Sequence, residues 1–188
     1  MAELIYSQSP VRLIGTLLAG RPSEMLPVVE PSGEVVARAS RCECHSSNLL
    51  HPVVHLHIID RYSRIYLQHR SPTKDFLPDM WDTAVGGHVS FGEAAEEALF
   101  REASEELGLY DFNPVQIRDY IFNGDTEREL VFVYAAVGSF ELKPDNFEVS
   151  EGRWWTVEEI EAGLGKGILT PQFESEFKMI KSSLLALL

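Results

Sequence analysis

Between Gly87 and Leu109 the chain reads GHVSFGEAAEEALFREASEELGL, and no other segment limits the fold so tightly. Behind the paired glycines Gly86-Gly87, the spacing predicts a helix from about Glu93 to Leu107. Ser90 and Glu93 fit a capping box, and Gly108 fits a helix stop. Glu102, Glu105 and Glu106 fall at i, i+3 and i+4, so all three leave one face of that helix. Three like charges there cost roughly a few tenths of a kcal/mol per pair. Hard divalent cations with oxygen ligands offset such repulsion. Ala98, Ala95 and Ala94 continue the same face with little bulk, while Leu99, Phe100, Ala103 and Leu107 offer a core contact on the other side. Arg101, four residues from both Glu97 and Glu105, can fix a carboxylate in one orientation. Charge alone would make this a solvated acidic helix. The spacing of the whole segment argues against that.

Residues 87–109 resemble the Nudix signature, G-x5-E-x7-R-E-U-x-E-E-x-G-U, where U is bulky and apolar. Gly87, Glu93, Arg101, Glu102, Glu105, Glu106, Gly108 and Leu109 fall in place. Ala103 at the first U position is a mild departure. Seven fixed identities would coincide by chance on the order of once in 10⁸ positions. The resemblance implies an α/β (α+β) Nudix fold, a mixed β-sheet sandwiched between helices. It implies Mg²⁺ or Mn²⁺ held by Gly87 through its carbonyl and by Glu102, Glu105 and Glu106. Glu102 is then also a candidate general base, Arg101 orients it, and Glu93 supports the cluster. Many Nudix enzymes add a downstream acid, for which Glu148 is favoured over Glu151. The implied activity is hydrolysis of a pyrophosphate bond in a nucleoside-diphosphate-linked or related compound. Such chemistry needs an activated water and neutralised leaving phosphate, which metal ions and a carboxylate base supply.

From Leu50 to Trp155 the chain is also similar to the Nudix branch containing isopentenyl-diphosphate isomerases and their hydrolase-like relatives. Arg70 and Lys74, before the Pro-x-x-Trp loop, are the candidate phosphate contacts. An isomerase of this type requires a cysteine in a N-S-V-C-G-H-like stretch. Here Thr83-Ala84-Val85-Gly86-Gly87-His88 has glycine at that place. Hydrolase is therefore preferred to isomerase. A non-catalytic nucleotide-binding module, the third class, would be expected to have lost box carboxylates. His51 and His88, with His45 or Cys44, resemble the isomerases' histidine metal site, but ordinary loop and strand-end histidines are the preferred reading.

The rest of the chain bounds these expectations. With 188 residues, one domain is expected over 25–188, with an N-terminal hairpin and a C-terminal helix. Residues 1–24 are an unassigned extension and make a poor signal peptide, so a cytosolic protein is expected. The net charge of −13 speaks against nucleic-acid or anionic-membrane surfaces, although metal ions could still recruit a phosphate-bearing small molecule. Cys42 and Cys44 are too close in sequence for a mutual bridge. Strands are expected at Met25–Val29 and Glu34–Ala39, His51–Asp60, Arg64–His69, Trp81–Val85, Gln116–Phe122, Glu129–Val137 and Gly152–Val157. Short and long helices are expected at Glu158–Ala162 and from Pro171. Arg41–Asn48 is a polar connection. The apolar stripe Phe173, Phe177, Ile180, Leu184, Leu188 could cap the sheet or serve a homodimer.

Overall fold

The computed structural model of the protein describes residues 24–74, 76–124 and 127–188; apart from Glu24, the expected N-terminal extension lies outside them. Strand β3 (His51–Ile59) organises the fold and is buried along its whole length. It runs parallel to β8 (Arg128–Val137) on one side. On the other side it meets β4 (Ile65–Arg70) at Ile58 and Ile59, and β6 (Val85–His88) at Val53–Leu56, both antiparallel. β5 (Trp81–Thr83), β7 (Val115–Asn123) and β9 (Val149–Trp155) complete a seven-stranded mixed sheet.

Side-chain alternation along β3 sorts two cores. Val54, Leu56 and Ile58 face helix α2 (Ala95–Leu107), where Ala98, Leu99, Ala103 and Leu107 are buried. Val53 and Ile59 join the opposite core with α3 (Val157–Gly163) and α4 (Pro171–Leu185), through Ile160, Phe173, Phe177, Ile180 and Leu184. The sheet is thus sandwiched between helices, as expected. The C-terminal stripe caps the sheet through Leu184, whereas Leu188 is exposed. No helix among the described residues is long and apolar enough to cross a membrane.

The N-terminal hairpin pairs β1 (Met25–Val29) with β2 (Val35–Ser40) and forms its own small sheet. Phe91 donates its N–H to the carbonyl of Met25 at 2.8 Å, which ties the hairpin to the loop before α2.

Three local expectations need correction. Arg41–Ser46 forms a short helix, α1, because Ser40 and Glu43 make a reciprocal capping box. The stretch 81–88 is two strands, with β5 pairing to β4 and β6 to β3, so the second strand carries Gly86 and Gly87 within it. Helix α2 begins at Ala95, not near Glu93. Ser90 and Glu93 close the preceding loop, with the Ser90 N–H donating to Glu93 Oε2 at 2.9 Å. The rest of the Glu93 carboxylate is taken by Arg101, and Glu97 caps the helix by accepting from the Ala94 N–H.

Candidate active site

Register brings the box together. Gly87 lies opposite Val54 on β3, and α2 crosses the same face of the sheet. A β-carbon at Gly87 would overlap the Glu102 carboxyl group, so glycine is what lets that side chain reach the strand. Gly108 ends α2 in the left-handed region at φ 60°, where glycine carries little strain.

Arg101 binds Glu93 through two nitrogens, Nε to Oε1 at 2.8 Å and Nη2 to Oε2 at 2.9 Å. Its Nη1 donates to Glu102 Oε1 at 2.6 Å, and Nη2 also reaches the His88 carbonyl at 2.9 Å. The guanidinium therefore joins loop, strand and helix. It stands 3.7 Å from Glu105 Oε2. Glu106 is almost fully buried and accepts a 3.3 Å bond from the Gly86 N–H.

This crowding has an electrostatic signature. Burial pushes the Glu102 carboxyl up to about 7, against the pull of Arg101 and with added repulsion from Glu105 and Glu148. Burial, then the Glu102 charge, pushes Glu106 well above the carboxylate range. Glu93 moves the other way because the Arg101 and Ser90 hydrogen bonds outweigh its burial. The cluster is short of positive charge, and hard oxygen donors of this kind suit a divalent cation.

Gly87, Glu102, Glu105, Glu148, Arg70 and Lys74 all border one cleft of about 160 Å³. Lys74 pairs with Glu148 at 2.7 Å. Arg70 donates to the carbonyls of Leu77 and Phe76 at 3.0 and 2.9 Å and to Asp82 at 3.3 Å, so it braces the loop that walls the cleft. Glu151 does not border the cleft, and its side chain is 65% exposed. Neither cysteine borders it. Tyr120, Phe122, Phe132 and Tyr134 pack into the two cores or against them.

Sequence reasoning did not single out Arg41, Gln68, Asp82, Glu127, Glu129 or Gln172 as site residues, yet all border the cleft. Five of them come from five separate elements and Glu127 from the connection before β8, and their order in the chain carries no common period. For Arg41, the Ser40-x-x-Glu43 box was the available signal of a helix start.

Beside the cleft, His45, His51 and His88 place one ring nitrogen each within 4.8 Å of one another. His51 Nδ1 donates to the Leu49 carbonyl at 2.8 Å, and its buried Nε2 has no partner among the described residues. Burial, reinforced by Arg41, holds His45 down at about 4 and His88 well below the usual imidazole range; burial also lowers His51. These shifts favour the neutral imidazole, the form that ligates a metal, and His45 Nε2 lies 3.3 Å from His88 Nε2.

The NUDIX domain model matches residues 49–173. The chain is 36% identical over 142 residues to the Nudix hydrolase YfcD of Escherichia coli K12, covering 74% of this chain and 78% of that protein. It is 32% identical over 145 residues to an isopentenyl-diphosphate Delta-isomerase of Leifsonia xyli, covering 71% and 77%. The crystal structure of DR0079 from Deinococcus radiodurans superposes with a TM-score of 0.73 at 25% identity, over 83% of this chain and 98% of that one. With the fold, the box and these relatives in agreement, the chain belongs to the Nudix hydrolase family, on the branch that includes isopentenyl-diphosphate isomerase relatives.

Proposed function

We propose that this protein is a Mg²⁺- or Mn²⁺-dependent hydrolase of a pyrophosphate bond in a nucleoside-diphosphate-linked or related diphosphate compound. The observation that carries the reading is the Arg101 hub, which holds Glu102 against Gly87 while Glu105 and Glu106 crowd the same helical face. Gly87 through its carbonyl, with Glu102, Glu105 and Glu106, would hold the cation, and Glu148 completes the set. A divalent cation held by these residues would supply an activated water and neutralise charge on the leaving phosphate.

The chain's own residues supply the rest. Arg101 occupies one oxygen of Glu102, which leaves the other to accept a proton from the attacking water. Glu93 fixes Arg101 from behind, so the base cannot swing away. Lys74 offers a positive charge at the cleft, shared with Glu148 in the absence of substrate.

The intact carboxylate set disfavours a non-catalytic nucleotide-binding module. Gly86 and the lack of a cysteine at the cleft disfavour isomerase chemistry, which needs a thiol at that position. A phosphate-release screen over diphosphate compounds with Mg²⁺ and Mn²⁺ tests the hydrolase, with Glu106→Gln as the blank. Turnover in the wild type alone is expected. Equal release from both proteins would end the reading, and proton exchange into isopentenyl diphosphate would replace it with isomerase.

The unpartnered Nε2 of His51 favours a second reading alongside the first, a separate cation site on His45, His51 and His88. Nitrogen ligands of this kind select zinc or a similar transition metal over Mg²⁺. Stoichiometric zinc that disappears in a His51→Ala/His88→Ala double variant is the expected result; no bound metal in the wild type would refute it.

A further inference from the structure

Part of the cleft is built without the box, from β3, β4, β5, β8 and the first turn of α4. The chain enters α4 after crossing the edge of β5, where the Trp81 N–H donates to the Ile168 carbonyl and the Thr170 N–H to the Trp81 carbonyl, both at 2.9 Å. That path sets Thr170 and Gln172 against the sheet. The Thr170 hydroxyl donates to Asp82 Oδ1 at 2.9 Å, and Gln172 Nε2 donates to Glu129 Oε2 at 2.7 Å.

On the sheet side stand His55 and Gln68. His55 Nδ1 is fixed at 2.9 Å from the buried Glu176 carboxylate, so its Nε2 edge turns away from Glu176. Gln68 is only 4% exposed and borders the cleft, yet among the described residues nothing hydrogen-bonds its amide. The amide's own nitrogen and oxygen are not sealed off, so its donors and acceptor open to the cleft, where a ligand or water can meet them.

The chemistry of this wall selects among ligands. Among the described residues, apolar side chains contribute only Val53, Phe76 and Leu77 to the cleft lining, too little for an isoprenoid tail. Phe76, the one aromatic carbocycle there among the described residues, is 44% exposed and makes a poor stacking partner for a base. Asp82 and Glu129 repel a second anionic group. Carboxylates, amides and an imidazole N–H together suit hydroxyl groups, each of which donates and accepts.

We propose that this wall recognises a polyhydroxylated group, sugar- or polyol-like, carried by the diphosphate substrate. The proposal rests on the pyrophosphohydrolase reading for its diphosphate, and on Gln68, His55, Glu129 and Gln172 for its hydroxyl contacts.

Calorimetric titration of the full chain in Mg²⁺ tests it with four phosphomonoesters: ribose 5-phosphate, glucose 1-phosphate, isopentenyl phosphate and phenyl phosphate. At least one of the sugar phosphates is expected to bind about tenfold more tightly than either apolar ester. Gln68→Leu should remove that preference by weakening the sugar phosphate about tenfold, with isopentenyl phosphate held within about twofold. Gln172→Leu, in the half-exposed first turn of α4, should act in the same direction and stands in if Gln68→Leu does not fold. Equal or tighter binding of the apolar esters overturns the proposal. So does failure of both sugar phosphates to bind, or a preference that survives both substitutions. Catalysis is judged separately: a sugar-phosphate preference without diphosphate turnover would keep the recognition wall and remove the hydrolase.

Discussion

Glu106 on α2 and Glu176 on α4 are both withdrawn from solvent, at 4% and 0% exposure, on opposite faces of one sheet. Their surroundings differ in kind. Glu176 accepts from His55 Nδ1 at 2.9 Å, His57 Nε2 at 2.5 Å and the Tyr120 hydroxyl at 2.7 Å. Burial opposes its charge, but the two imidazoles outweigh that and hold the carboxyl well below the usual range. Glu106 has one 3.3 Å donor from the backbone, and its carboxylate neighbours Glu102 and Glu148 add to the burial that pushes it up. A buried acid whose partners are supplied by the fold is architecture. A buried acid left short of partners is where the protein expects something from outside.

Exchanging each acid for its amide separates the two cases. Glu106→Gln should lower phosphate release on the order of 10³-fold while leaving thermal stability unchanged or raised, since a repelled charge is removed. A large stability loss with activity retained would collapse the distinction. Glu176→Gln should do the reverse, costing about 3–5 kcal/mol in denaturant unfolding because it leaves a buried imidazolium without its counter-charge.

The same pair predicts a pH profile. Burial lowers the His55 pKa, but Glu176 overrides it and raises the group from 6.5 to about 9. His55 therefore stabilises the fold fully below pH 6.5, and that contribution is lost as pH rises through about 9. Glu176, depressed from 4.5, contributes above 4.5 and is lost as pH falls below it. The difference in unfolding free energy between wild type and Glu176→Gln should peak between those limits; a flat difference from pH 4 to 10 would contradict the network.

Smaller changes sharpen the box side. Arg101→Lys keeps the charge but cannot span Glu93, Glu102 and the His88 carbonyl together, so activity should fall about 10–100-fold. An unaffected rate would show that charge alone suffices. Lys74→Ala removes a partly exposed pair with Glu148, and stability should move by about 0.5 kcal/mol or less. Its effect should appear in KM for the diphosphate, and a change confined to kcat would place Lys74 elsewhere in the reaction.

The box was legible because it is local. Glu102, Glu105 and Glu106 share a face by helical period alone, and Gly87 and Arg101 follow from fixed spacing to that helix. Strands were legible wherever apolar runs met turn residues, as at Met25–Val29, which the hairpin contains with the same bounds. The start of α2 was misplaced because Ser90 and Glu93 satisfy the local capping rule, while a residue eight positions after Glu93 claims most of its carboxylate. The histidine trio was legible only through the resemblance, which offered His45 or Cys44 beside His51 and His88 and was set aside for ordinary histidines; the polar wall was not legible as a site, since Gln172 and Glu129 are 43 residues apart.

By itself, then, the sequence determined the identity of the box, the acidic face of its helix, the sandwich of helices on a mixed sheet and the glycine at position 86. Tertiary structure alone decided that His55 and His57 would close on Glu176 from α4, that His45 and not Cys44 would join His51 and His88, and that Gln68 would face the cleft with no hydrogen bond to its amide among the described residues. The division follows from range: helical and strand periods act over a few residues, whereas a buried polar group's partners are chosen by whichever distant element packs against it.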